Sequence, residues 1–201
     1  MAKRLPTAEE ALDRLIAGNA RFVRGEARFA TVQTDHLADL AKAQRPYATI
    51  LGCSDSRVPP ELIFDAGLGE LFIIRVAGNV VSAEIMGSLQ YAAVKLKTPL
   101  FVVLGHQGCG AVEAALDVEL RGAQHRSRIA RLLDNIIPGL HGIDARLSHD
   151  KQVERGVEAN VRWSLEQIRV TPEAQAKAAT GVFKLVGAVY EIESGMVRFL
   201  P

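Results

Sequence analysis

Two short strings, Cys53-Ser54-Asp55-Ser56-Arg57 and His106-Gln107-Gly108-Cys109, carry two thiols, an imidazole and a carboxylate. Thiolate sulfur, imidazole nitrogen and carboxylate oxygen together suit a tetrahedral zinc ion, and the sulfur argues against magnesium and calcium. Cys53 and Cys109 are the only cysteines, so a four-cysteine structural centre is impossible and a mixed sulfur and nitrogen centre remains. Cys53, His106 and Cys109 are the three expected ligands of one zinc ion, with the fourth position left to Asp55 or to water. A mixed set with such a position leaves room for chemistry.

Arg57 stands two residues from Asp55, close enough for a bidentate guanidinium–carboxylate pair in an irregular loop. Such a pair would hold the carboxylate off the metal and keep it ionised. Asp55 would then accept a hydrogen bond from a water on zinc. Without Arg57, Asp55 is expected to move onto the metal. Cys109 falls at a predicted helix N-terminus, where unpaired amides favour the thiolate and lower its pKa. Each residue alone has an ordinary reading as a core cysteine, a satisfied core histidine or a loop ion pair. Their joint placement at strand ends points to a metal site.

The strands that end at these strings are apolar runs at 47–52 and 100–104, with another at 71–76. Between the last two lies a helical pattern at 82–96, with Ile85, Leu89, Ala92, Ala93 and Leu96 at helical spacing and Thr98-Pro99 closing it. Strand, helix, strand with apolar strands throughout predicts a parallel sheet covered on both faces. Ligands of such sheets bind beyond the carboxyl ends of the strands. Loops leaving neighbouring strands, about 4.8 Å apart, can share one ion.

Thr7-Ala8-Glu9-Glu10 reads as a capping box opening a helix to about Ala20, and a second short helix is expected near 36–40. Further helices are expected at 110–120, 126–137, 153–168 and 172–179. A strand at 182–190 then turns at Ser194-Gly195 into 196–200. The expected fold is α/β, a mainly parallel central sheet flanked by helices with a C-terminal antiparallel edge hairpin. One catalytic domain would span 1–201, with 1–45 a helical arm and 46–201 the α/β core.

At 201 residues the chain is long enough to bury a substantial core without disulfides. Its net charge of +1 gives no reason to invoke nucleic acid. The N-terminus runs into acidic residues instead of an apolar leader, and no apolar run approaches the ~20 residues that span a bilayer. A cytoplasmic location with reduced thiols and no membrane partner is the expectation.

The two strings resemble those of the β-class carbonic anhydrase family, which joins a Cys-x-Asp-x-Arg string to a later His-x-x-Cys string. The similarity covers most of the chain, including Arg57-Val58-Pro59-Pro60-Glu61, Gly69-Glu70-Leu71-Phe72, Arg75-Val76-Ala77-Gly78-Asn79, 105–112 and Val186-Gly187-Ala188-Val189-Tyr190. It implies a zinc lyase for the reversible hydration of CO2 to bicarbonate through zinc-bound hydroxide. Cys53, His106 and Cys109 would be zinc ligands and Asp55 and Arg57 the catalytic dyad, with Asp55 a fourth ligand in a closed state. Gln44, Phe72, Gly78 and Tyr91 match substrate-binding positions. In the family the glutamine and the two aromatics come from the neighbouring subunit, which implies a homodimer or a dimer-based tetramer.

Some members carry a tryptophan three residues before the first cysteine, in an allosteric bicarbonate site. Ile50 stands there, although Arg75 matches an arginine of that site, and Val76 replaces an asparagine of many members. No proton shuttle is assigned, and His36, His125, His141 and His149 read as surface or structural. Two thiolates cancel the formal charge of zinc where three imidazoles do not, which predicts an alkaline activity profile. The rival readings are a related hydrolase of CS2 or COS and a non-catalytic zinc- or bicarbonate-binding module; the presence of Arg57 argues against the second.

Overall fold

A computed structural model describes residues 4–28, 37–38 and 40–201. The first element, α1 (Ala8–Val23), starts at the expected capping box: Glu10 N–H donates to Thr7 Oγ1 at 3.2 Å and Thr7 N–H to Glu10 Oε2 at 2.7 Å. It runs past Ala20 because its last turn has tertiary partners. Asn19 Nδ2 donates to the carbonyls of Ile63 and Gly195, Val197 N–H donates to Asn19 Oδ1, and Arg21 pairs with the buried Asp65. The helix expected near 36–40 lies partly outside the described residues, His36 among those not described.

The core elements are β1 (Ala48–Gly52), α2 (Pro60–Ile63), β2 (Leu71–Arg75), α3 (Ala83–Tyr91) and β3 (Leu100–His106). After β3 come α4 (Gly110–Arg121), α5 (Ser127–Leu133), α6 (Ile137–Leu140), α7 (His149–Arg169), α8 (Pro172–Ala178), β4 (Lys184–Tyr190) and β5 (Val197–Phe199). Two predicted helices are subdivided. The 82–96 pattern is α-helical to Tyr91 and finishes in a π turn, Ala92–Leu96, closed by Lys97 at φ 57°. The 126–137 pattern breaks after Leu133, and Pro138, unable to donate a backbone hydrogen bond, sits in the first turn of the next helix.

The sheet order is β2-β1-β3-β4-β5, parallel except for the antiparallel β4–β5 hairpin at one edge. All residues of β1 and β3 are buried, which explains their largely apolar texture. Register fixes the site: Gly52 is level with Leu104 on one side and Arg75 on the other. Cys53 therefore leaves β1 where β3 is reaching Gly105 and His106.

Helix α7 covers one face through Val157, Val161, Leu165 and Ile168, all buried. Each such side chain contributes roughly 1.5–3 kcal/mol relative to exposure. The approach is close because β3 and β4 offer glycines beneath it. A Cβ at Gly105 would lie 2.6 Å from Val161 Cγ2, and one at Gly187 would lie 2.8 Å from Val161 Cγ1. Among the described residues no helix is long and apolar enough to cross a membrane.

Candidate metal centre

Cys53 ends its strand run buried, His106 is the last residue of β3, and Cys109 is the N-cap of α4, so three element ends converge. Their ligand atoms lie within 4.8 Å of one another. All three side chains are almost fully enclosed. His106 Nδ1 lies 3.0 Å from the Gln107 carbonyl, which can only accept, so Nδ1 carries the proton. Nε2 then presents its lone pair and, among the described residues, is buried with no hydrogen-bond partner. An orphaned buried imidazole nitrogen beside two buried sulfurs is satisfied by a cation, and the donor set fits zinc.

The two thiols pull in opposite directions. A hydrogen bond from Cys109, outweighing burial and helped by the His106 ring and the amides of Asp55 and Gly78, moves Cys53 down from the ordinary thiol range. Cys109 moves up because Cys53 beside it holds the charge and because it is buried. The amides of Ala111 and Val112 do favour the Cys109 thiolate, as a helix N-terminus predicts. Proximity to Cys53 overrides them, which reverses the direction expected from the sequence. A dication placed among the three ligands removes the conflict, since both sulfurs can then be thiolates.

Asp55 and Arg57 form the bidentate pair expected from their spacing: Arg57 Nε donates to Oδ1 at 3.0 Å and Nη2 to Oδ2 at 2.7 Å. Arg57 N–H adds a third bond to Oδ1 at 2.9 Å. The arginine holds the Asp55 carboxyl far below the usual carboxylate range, so it is ionised. Asp55 Oδ2 stands 4.0 Å from His106 Nε2, beside the cluster but engaged by Arg57.

Two supports were not singled out from the residues alone. Arg75 Nε donates to the Cys53 carbonyl at 2.9 Å and Nη2 to the Asp55 carbonyl at 2.5 Å, latching the loop that carries both. Gly78 N–H donates to Cys53 Sγ at 3.4 Å from the turn Ala77–Asn79 that follows β2. Gly78 has φ 68°, and a Cβ there would meet Ile136 Cδ1 at 2.6 Å, so this turn requires glycine. The apolar and glycine run after an extended strand was the available signal for the turn. Its bond to sulfur has none in the sequence.

Phe72 and Tyr91 stack with ring centroids 6.2 Å apart. Phe72 is level with Thr49, four residues before Cys53, so along the strand it is displaced by about 13 Å from its own chain's cysteine. The structure thus brings Cys53, Asp55, Arg57, Gly78, His106 and Cys109 together. Gln44 is exposed ahead of β1, and the aromatic pair lies toward the opposite strand end. His141 and His149 pair at the surface with Glu119 and Glu113. A cavity of about 660 Å³ beside Gln107 and Gly108, lined by Glu113, His149, Glu191 and Arg198 among others, includes none of the three ligands.

Residues 48–197 match the family model described as "Carbonic anhydrase". A carbonic anhydrase of Mycolicibacterium smegmatis is 40% identical over 182 residues, covering 90% of this chain and 87% of the relative. Carbonic anhydrase 2 of Mycobacterium tuberculosis is 38% identical over 182 residues, covering 89% and 86%. Among solved structures, the β-carbonic anhydrase CcaA superposes with a TM-score of 0.76 at 27% identity, over 94% of this chain and 95% of the other.

Proposed function

This chain belongs to the carbonic anhydrase family, in its β class, and from that premise we propose that it catalyses the reversible hydration of CO2 to bicarbonate and a proton, with Cys53, His106 and Cys109 holding one zinc ion. One observation carries the reading: the unpartnered, buried Nε2 of His106 faces two buried thiols, with an arginine-clasped carboxylate 4.0 Å away. Zinc held there supplies Lewis acidity that makes a water molecule nucleophilic.

The rest of the work belongs to side chains. Ionised Asp55 is purely an acceptor, so it takes a hydrogen bond from the attacking water and turns that water's lone pair toward CO2. Arg57 keeps the carboxylate ionised and occupied, which holds it beside the ligand set instead of in it. Were Arg57 released, Asp55 would be free to serve as a fourth holder of the ion, the closed state of the site. Arg75 and Gly78 fix the positions of the Cys53 backbone and sulfur.

Gln44, Phe72 and Tyr91 are read as pocket residues offered to the metal centre of a second copy, with Gly78 forming part of the pocket in its own chain. Supporting this, Tyr91, stacked on Phe72 of β2, is 49% exposed, and β2 lies at the end of the sheet order. The catalytic unit is then at least a homodimer of single-domain chains. Two buried free cysteines suit a reducing compartment, and the cytoplasm is the location proposed.

Stopped-flow CO2 hydration on metal-loaded protein tests the reading. The rate is expected to rise from about pH 6 to about pH 9. Stoichiometric zinc without turnover even at the alkaline end would overturn it.

A further inference from the structure

Helix α7 carries two polar side chains inside its buried face, Asn160 at 1% exposure and Ser164 at 0%. They are four residues apart, so they share one side of the helix. Both reach across to the same turn. Asn160 Nδ2 donates to the Gly78 carbonyl at 2.8 Å, and Ser164 Oγ donates to the Asn79 carbonyl at 3.2 Å. That turn is the one whose Gly78 N–H meets Cys53 Sγ.

The turn needs outside support. Gly78 and Asn79 are both left-handed, at φ 68° and 44°, a conformation that costs energy at the non-glycine position. Helix α7 is a rigid source of that support, because Val161, next to Asn160, is seated over Gly105 and Gly187 of the two strands beneath. An unbroken set of contacts therefore runs from the sheet through α7 and the turn to the sulfur.

We propose that Asn160 and Ser164 are positioning residues of the metal centre: by anchoring the Gly78 and Asn79 carbonyls to α7 they aim the Gly78 N–H at Cys53 Sγ and so set that sulfur's place and donor strength toward the metal. The inference rests on Cys53 being a metal ligand. Loss of a positioning group outside the ligand shell weakens metal binding by about 10–100-fold. Loss of a hydrogen bond to a thiolate also raises the energy of its lone pairs, which moves sulfur-to-metal charge transfer to longer wavelength.

The test compares Asn160→Ala and Ser164→Ala with Gln152→Ala in the 201-residue chain. Gln152 is also buried on α7, but its side chain serves the Ala145 and Leu147 carbonyls and Arg121. Cobalt(II) loading reads the charge-transfer band, and competition with a chromophoric chelator reads zinc affinity. Asn160→Ala and Ser164→Ala are expected to red-shift the band and lower zinc affinity by about tenfold or more, while Gln152→Ala leaves both at wild-type values. Ser164→Ala removes one oxygen and keeps the test open should Asn160→Ala fail to fold. Wild-type spectra and affinities in the folded Asn160 or Ser164 variants, or equal changes in Gln152→Ala, would overturn the proposal. A wild-type protein that takes up no stoichiometric metal would instead overturn the ligand assignment beneath it.

Discussion

Gly78→Ala separates two costs that coincide at the turn beside Cys53. The left-handed backbone, φ 68°, costs an alanine about 1–2 kcal/mol. The new methyl would stand 2.6 Å from Ile136 Cδ1 and 3.1 Å from Ala111 Cβ. Ile136 is fully buried, so its end methyl cannot swing aside without displacing other core atoms, and overpacking of this kind costs about 1–3 kcal/mol. Together the costs reach about 2–5 kcal/mol, a fall in Tm of roughly 4–20 °C for a chain of this length.

Gly25→Ala is the reference for that estimate. Gly25 has φ 70°, and among the described residues, its two chain neighbours aside, no heavy atom lies within 4 Å of the place its new methyl would take, so it carries only the backbone cost, about 1–2 kcal/mol. Thermal unfolding at one protein concentration, followed by circular dichroism, should show the larger loss for Gly78→Ala. Metal content should fall with it, because the Gly78 N–H is displaced from Cys53 Sγ. Equal losses of Tm in the two variants, with full metal content in Gly78→Ala, would refute the packing argument.

Arg57→Ala is expected to retain zinc and lose CO2 hydration by about a hundredfold or more, checked by metal analysis alongside stopped-flow rates; loss of the metal would make Arg57 structural. Asp65 is nearly enclosed between Arg21 and Arg28, and although burial pushes its carboxyl up, the two arginines and the Arg28 amide bring it below the ordinary value. Its contribution to stability is therefore present above the unfolded carboxylate pKa of about 3.9 and is lost as pH falls through the folded value. Asp65→Asn should be less stable than wild type in urea at neutral pH, with the gap closing in acid; a gap independent of pH would contradict the assignment. Tyr91→Glu places a charge on the exposed aromatic face and should shift sedimentation toward the monomer and abolish activity, whereas an unchanged oligomer would remove that face from the interface.

The Cys-His-Cys cluster was legible in the sequence because coordinating ability belongs to side-chain type, and because apolar runs reveal where strands stop. Cys53, His106 and Cys109 needed no coordinates to be recognised together, and the Asp55–Arg57 clasp followed from a separation of two residues. The parallel sheet and its terminal hairpin were equally readable, from strands alternating with helical patterns and from Ser194-Gly195. Local rules failed where distant parts of the chain compete with them. The last turn of α1 is held by Asn19 and Arg21 reaching across the fold, and Cys109 answers to Cys53 more than to its own helix.

The anchoring of the turn beside Cys53 was hidden for the same reason. Asn160 and Ser164 are bonded to residues 82 and 85 positions away, and in sequence they read only as two polar residues inside an amphipathic helix. Sequence by itself determined which atoms are able to bind a metal and which strands carry them. Tertiary structure alone decided that Gly52 is level with Leu104, that Nε2 of His106 is left without a partner, and that α7 lies low enough to hold the turn against Cys53. Coordination chemistry is written in individual side chains, whereas register, burial and hydrogen bonds across the fold exist only once distant segments have packed.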